Sequence, residues 1–312
     1  VDDLASQLQA EVSKRIDLHL DNYMATPRKL VQDNSNLIRL GLLDHRAVED
    51  FGSLFWQQRQ THDVGFIMLG TVSGYYADSG YDPSVDSDVI SNISPNIDEA
   101  AYVYKSNEKG ERTDLAFPPE VYEYQQESWY PEAIAAGKGV WSSVYSWEIN
   151  PYPLAIAFAS PIYDAEGEVV GAIGVEQLLL QISDFLRQLE VSPQAKMFII
   201  ERDGTLIARS DKGQAFAVVE DLPVRLNVSD SDDAAIESAA DYLKSSFGNF
   251  KEIKGTHKFK FDAGEEQHFL QVMPWGEDGG LDWLVVVTLP ESDFMAAINA
   301  NTRTTITLCL LA

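Results

Sequence analysis

The chain has 312 residues, 45% hydrophobic and 11% aromatic, enough for two ordinary domains or one long one with a packed core. With 23 Lys and Arg against 49 Asp and Glu, its formal charge of −26 repels phosphate backbones and anionic lipid headgroups, and no basic patch interrupts it, which excludes nucleic acid as a partner. The single Cys309 excludes an internal disulfide and fits either a reducing cytosol or a bridge-free periplasmic domain.

Residues 2–43 read as one long helix. Leu4, Leu8, Val12, Ile16 and Leu20 recur at every fourth position, and Tyr23, Leu30 and Leu37 continue an apolar face that drifts around the axis. About forty helical residues extend roughly 55–60 Å, enough to link a membrane to a distant domain or to pair with a second copy. A long amphipathic core helix is the plainer use of the same pattern. Pro27 is expected to kink it, because the ring removes one backbone donor and crowds the preceding turn. A second helix is expected over 46–60, then a strand in VGFIMLG. Residues 77–96, rich in Asp, Ser, Pro and Asn, read as a surface loop. Within it Asp82, Ser84, Asp86 and Asp88 alternate as in a calcium loop but lack its glycine and closing Glu, so no metal is assigned.

AAYVYKS and ERTDLAF flank Glu108-Lys109-Gly110 as a hairpin. A short helix opens at Pro131 and closes at Gly137. VWSSVYS, PLAIAFAS and EVVGAIGV follow as strands, then a helix over 177–189. Ser192-Pro193 marks a boundary, beyond which come a hairpin turning at Asp203-Gly204, acidic loops, a helix over 234–247, three strands and a final helix from Glu291. This order describes an α+β chain of antiparallel sheets with helices against them. The halves echo each other: the interval from Pro161 to Val175 nearly repeats from Pro274 to Val287, pointing to a duplicated sheet module. The closing TTITLCLLA is expected to begin a truncated transmembrane helix. No signal pattern opens the chain, so any preceding signal or anchor is expected to have been removed.

No P-loop, nucleophile elbow, HExxH or dinucleotide fingerprint is present. His19, His45, His62, His257 and His268 are scattered without ligand spacing, so no catalytic residue, cofactor or metal is assigned. Glu127, Glu132, Glu148 and Glu176 near Trp129, Trp141 and Trp147 would suit a glycosidase, but so acidic a chain brings carboxylates to aromatics by composition alone. Binding is the better account. Tyr145 and Trp147 share one strand face, and Glu176 ends an apolar strand where burial without a partner costs several kcal/mol. A ligand cation against Glu176 and an aromatic ring relieves that cost and gains about 0.5–2 kcal/mol. The plainer roles are core packing for the aromatics, and a solvent-exposed or helix-capping acid for Glu176.

SWYPEA, then VYS, then ASPIYDAEGEVVGAIGVE resemble the membrane-distal module of double Cache sensor domains. The resemblance covers essentially the whole chain and implies a long N-terminal helix followed by two PAS-like antiparallel-sheet modules. It implies four segments: the two helices over 1–60, a membrane-distal ligand-binding module over 61–190, a membrane-proximal module over 191–295, and a helix entering the membrane over 296–312. By the same resemblance the region is a non-enzymatic, extracytoplasmic (periplasmic) sensor of an inner-membrane chemoreceptor, histidine kinase or cyclase. Flanking transmembrane helices would anchor it, and it would act as a homodimer along the N-terminal helices. The amino-acid-binding branch carries Arg-x-Trp-Tyr, then Tyr-x-Asp, then a closing Asp. Trp129, Tyr130 and Tyr145 match; Glu127 replaces the Arg that grips a ligand carboxylate, Trp147 replaces the strand Asp, and Glu176 keeps the closing acid. Those departures point to a small amine or other ligand that is not a standard amino acid, held by Trp129, Tyr130, Tyr145, Trp147, Glu176 and Glu127. The alternatives are a ligand-free structural or protein-binding ectodomain and a carboxylate-based glycosidase.

Overall fold

The computed structural model describes residues 2–147, 152–277 and 280–294; the expected membrane-entering helix over 296–312, and Glu148, lie outside them. The chain divides into two compact units, Asp21–Leu179 and the residues up to Leu20 together with those from Leu180. Helix α1, Asp2–Arg39, contributes to both. It stops short of residue 43 because Gly41 takes a left-handed φ of 70° and its N–H bonds the Ile38 carbonyl. Ala5, Gln9, Val12, Ile16 and Leu20 form its first buried stripe, while Leu4 is exposed. A step of four residues advances about 40° beyond a full turn, so the expected series starts exposed at Leu4 and rotates onto the buried side by Val12, Ile16 and Leu20. The helix runs unbroken through Pro27. The Tyr23 carbonyl, for which Pro27 offers no N–H, instead accepts a 2.8 Å hydrogen bond from Gln177 Nε2.

In the Asp21–Leu179 unit, α2 (Val48–Thr61) lies beside α1, where Asn34 and Gln58 exchange amide hydrogen bonds of 3.0 and 2.7 Å. The elements that follow are β1 (Ile67–Thr71), β2 (Tyr76–Asp82), β3 (Ser87–Ile93), β4 (Ala100–Ser106), β5 (Arg112–Leu115) and β6 (Glu120–Val121). After them come α3 (Trp129–Ala136), β7 (Val140–Trp141), β8 (Tyr145–Ser146), β9 (Leu154–Tyr163) and β10 (Val169–Leu178). The antiparallel sheet has the order β5-β4-β3-β2-β1-β10-β9-β7, with β6 on β4 and β8 on β9. Residues 77–96 are therefore mostly strand, not the loop their composition predicts. Asp78, Asp82, Ser91 and Asn92 are buried there, and strands whose inward side is polar carry no apolar alternation to announce them.

Alternation gives this sheet two different faces. Ile173 and Val175 of β10 share one face with Leu69 and Ile67 of β1. On that face Ile90 presses α2 so closely that a Cβ at Gly52 would stand 2.2 Å from it. Ala172, Gly174 and Glu176 share the other face with Met68, Tyr76, Asp78, Ala157 and Ala159. The small residues on this second face leave room above the sheet for α3 and a cluster of aromatic rings.

The other unit continues with α4 (Leu179–Gln188), β11 (Lys196–Glu201), β12 (Leu206–Arg209), β13 (Phe216–Val219), β14 (Leu222–Arg225) and α5 (Ala234–Phe247). It ends with β15 (His257–Ala263), β16 (Glu266–Glu277) and β17 (Leu281–Pro290). Its sheet order is β12-β11-β17-β16-β15, which sets the opening strand beside the closing one, as β1 sits beside β10 in the first unit. Pro161 faces Ala172 and Pro274 faces Leu284, and Val175 and Val287 each stand three residues beyond those partners. The sequence echo thus marks matching positions in two sheets, and the fold is the predicted α+β arrangement. Arg209, 1% exposed, pairs with Asp211 and Asp232. Gly213 makes room for it: a Cβ there would stand 2.4 Å from the guanidinium carbon.

Candidate functional site

Glu176 is only 3% exposed, so it is neither a solvent carboxylate nor, lying within β10, a helix cap. Its Oε2 accepts hydrogen bonds from Tyr145 Oη at 2.7 Å and Trp147 Nε1 at 3.1 Å. Among the described residues its Oε1 has no hydrogen-bond partner. A Cβ at Gly65 would stand 2.9 Å from Oε1, so the glycine leaves that oxygen its space. Along the backbone, Glu176 N–H donates to the Phe66 carbonyl at 2.7 Å, and the Glu176 carbonyl accepts from Gly65 N–H at 2.8 Å. Burial pushes the Glu176 carboxyl up to about 7; the Tyr145 and Trp147 bonds oppose the shift, and the negative charges of Asp78 and Glu127 add to it. Burial, followed by the Glu176 charge, likewise pushes the Tyr145 hydroxyl well up.

Asp78 projects from the same sheet face and is 7% exposed. Its Oδ2 accepts from Tyr76 Oη at 2.7 Å, and among the described residues its Oδ1 has no hydrogen-bond partner. Burial raises its pKa, moderated by Ser91, Tyr76 and Arg59. Asp78 lines a cavity of about 440 Å³ together with Phe66, Tyr76, Ser91, Phe117 and Tyr122. Asp82 and Glu120 are further carboxylates of that lining, whose described residues include no Lys or Arg. Phe66 joins the cavity to the Glu176 group, because its ring meets Trp147 edge-on at 5.3 Å.

Trp129 and Tyr130, 2% and 6% exposed, are packed into the aromatic core on this face. Trp129 meets Tyr130 at 5.5 Å, Tyr130 meets Tyr124 at 5.6 Å, and Tyr124 stacks on Tyr76 at 4.9 Å. Gly70 and Gly174 admit these rings: a Cβ at Gly70 would lie 2.4 Å from Tyr124, and one at Gly174 would lie 3.0 Å from Trp129. Glu127 is half-buried after the turn Tyr124–Gln126, its carbonyl accepting the Tyr130 N–H at 3.0 Å. Of the six residues singled out in the sequence, Tyr145, Trp147 and Glu176 are bonded together, Trp129 and Tyr130 lie in the neighbouring core, and Glu127 is at the margin. None of the six lines the cavity; Phe66, Tyr76, Asp78 and Tyr122, which sequence reading passed over, do. The available signal was Tyr76-x-Asp78, with the same two-residue spacing as Tyr145-x-Trp147.

Among the described residues no group of three or more His, Cys, Asp or Glu is placed to hold a metal ion. In the calcium-like stretch, Asp82 accepts from Ser84 and Asp88 pairs with Arg59 at 2.8 Å. Among the described residues no helix is long and apolar enough to cross a membrane.

The family model described as Cache domain, in its double (dCache) form, matches residues 1–298. No curated protein matches the chain by sequence. Among solved structures, it is similar to the ligand-binding domain of the Pseudomonas aeruginosa PAO1 amino acid chemoreceptor PctB in complex with L-Arg, at 17% identity and a TM-score of 0.56, covering 94% of this chain and 97% of that one. It is also similar to the ligand-binding domain of PctC from the same organism in complex with GABA, at 15% identity and 0.56, covering 90% and 98%. A third similar structure is the Campylobacter jejuni chemoreceptor Tlp3 domain with 4-methylisoleucine, at 15% identity and 0.51, covering 92% and 88%. The low identities speak for the fold, and the sequence match over nearly the full length carries the family: the chain belongs to the Cache family, as a sensor domain of the dCache type.

Proposed function

We propose that the chain is the extracytoplasmic sensing domain of a transmembrane signalling receptor, and that its Asp21–Leu179 unit, as the membrane-distal module, binds a small amine. The observation that carries this reading is Glu176: buried, bonded through one oxygen to Tyr145 and Trp147, unpartnered at the other among the described residues, and near a cavity whose described charged lining residues are acidic. L-Arg and GABA, bound by PctB and PctC, each carry an amino group and a carboxylate. The walls here suit the first and repel the second. An ammonium donating to Glu176 Oε1 makes a charge-assisted hydrogen bond, and contact with the Trp147 or Tyr145 ring adds about 0.5–2 kcal/mol. A bound cation favours the ionised carboxylate, so it discriminates between two states of the site, as a ligand must if it is to shift a population. Trp129 and Tyr130 support the site from below, and Glu127 adds to its negative field. Flanking transmembrane helices and pairing along α1 would pass the change to a cytoplasmic partner domain, in a chemoreceptor, histidine kinase or cyclase.

Calorimetric titration of primary alkylamines and standard amino acids into the chain tests this reading. Amines are expected to bind at least about tenfold more tightly than amino acids, and Glu176→Gln to abolish the binding. Tight amino-acid binding with no amine binding would refute it. A ligand-free ectodomain is the second reading, favoured by the packing of Trp129 in the core away from the cavity lining; silence across the whole panel would support it.

A further inference from the structure

The sheet face that carries Glu176 presents a second acid in the same condition. Asp78 and Glu176 are 7% and 3% exposed. Each accepts a 2.7 Å hydrogen bond from a tyrosine hydroxyl on one oxygen, Tyr76 for Asp78 and Tyr145 for Glu176. Among the described residues each has its other oxygen without a hydrogen-bond partner. The tyrosines fix the orientation of the carboxylates and leave one acceptor on each unsatisfied, a costly arrangement for a buried charge unless something supplies a donor.

Strand register sets their separation. Asp78 lies opposite Met68 on β1, Met68 lies opposite Gly174 on β10, and Glu176 stands two residues beyond Gly174. Two strand spacings across and two residues along place the Cα atoms on the order of 12 Å apart. Phe66 occupies the ground between. Its ring is edge-on to Trp147 and lies over Gly80, where a Cβ would meet it at 2.3 Å. The sequence of surfaces is thus acid, aromatic ring, acid, and the cavity at the Asp78 end is lined by no Lys or Arg.

One ammonium serves one of these oxygens and leaves the other acid's second oxygen without a donor. A linear dication serves both, with its methylenes over Phe66. Resting on the amine reading above, we infer that the site is two-ended and takes an α,ω-diamine, Asp78 holding one ammonium and Glu176 the other.

Calorimetry on the full chain with diamines of three to six methylenes, each beside the n-alkylamine of the same length, tests this. One diamine length is expected to bind at least about tenfold more tightly than its matched monoamine, with the advantage falling off on either side. Asp78→Asn, checked for folding by its thermal transition, is expected to weaken the best diamine at least about tenfold more than its matched monoamine and so to remove that advantage. Glu176→Gln is expected to weaken both classes. Diamines no tighter than monoamines at every length overturn the two-ended site and leave the amine reading standing, as does an Asp78→Asn variant that weakens both classes equally. Should neither class bind, both readings fall. The length series on the unaltered chain decides the matter even if Asp78→Asn does not fold.

Discussion

Glu176 makes the chain sensitive to protons in a direction that follows from its shift. Its folded pKa of about 7 lies above the ordinary 4.5, so between those values the folded state binds the proton more tightly than the unfolded chain. The stability associated with this group is fully present below about pH 4.5 and is lost as pH rises through about 7, a difference on the order of 3 kcal/mol. Glu176→Gln keeps an acceptor for Tyr145 and Trp147 while removing the charge. Its melting temperature is therefore expected to exceed the parent's by several degrees at about pH 8 and to approach it at about pH 5, read by scanning calorimetry. A variant less stable than the parent at the higher pH would contradict the burial argument. Amine affinity runs the other way, because the proton and the ammonium compete for the carboxylate. It is expected to rise about tenfold per unit up to roughly pH 7 and then level off, and an affinity flat from pH 5 to 7 would exclude Glu176 as the anchor.

Strand β10 shows how one element builds a site and how narrowly. Its alternation of Ile173 and Val175 with Ala172, Gly174 and Glu176 separates the face toward α2 from the face that carries the candidate site. At Gly171 the neighbouring strand comes so near that a Cβ would stand 2.1 Å from the Gly70 carbonyl oxygen and 2.7 Å from the Thr71 Cα. Both are backbone atoms with nowhere to go. Gly171→Ala is accordingly expected to cost about 3 kcal/mol or more and to lower the urea midpoint of this unit; an unchanged midpoint would mean the strands can part without penalty. The sequence made β10 legible because Val-Val-Gly-Ala-Ile-Gly-Val is apolar throughout and Glu176 ends the run abruptly. The hairpin of β2 and β3 stayed hidden for the converse reason. Its polar residues Asp78, Ser91 and Asn92 face inward, and a method that finds strands by their apolar side reads them as loop. The same blindness concealed half the candidate site, whereas Tyr145 and Glu176 could be named because each flanks an apolar strand. That Trp129 supports the core and does not face the cavity is a matter of tertiary packing over Gly174, which no local spacing records.

At the scale of the whole molecule, two units each have their own sheet and buried core, so heat should melt them separately. Arg209→Met removes a buried cation from between Asp211 and Asp232 and is expected to cost about 3 kcal/mol in the unit that contains it. Calorimetry should then show one lowered transition and one unmoved, the unmoved one being that which an amine raises. A single transition that shifts as a whole would show the units unfold as one. The formal charge of −26 acts on the molecule as a body: it draws cations toward any acidic mouth, so the association rate of an amine is expected to fall several-fold as salt rises from about 0.05 to 0.5 M. A salt-independent rate would show that the distributed charge takes no part in capture.

Glu176 and Gln177 are consecutive residues, and the strand turns one toward the candidate site and the other toward α1. Gln177 donates to the Tyr23 carbonyl, whose usual helical donor four residues on is replaced by proline, so an imperfection in the helix serves as the socket into which the strand is plugged. A helix complete in its own hydrogen bonding would offer the strand no such grip. Pro27→Ala is expected to return the Tyr23 carbonyl to the helix and release Gln177. Amine binding would then persist at an unchanged Kd, while the α1 amides from about residue 21 to 30 no longer altered their hydrogen exchange when ligand arrived. The result would be a receptor that is occupied but silent.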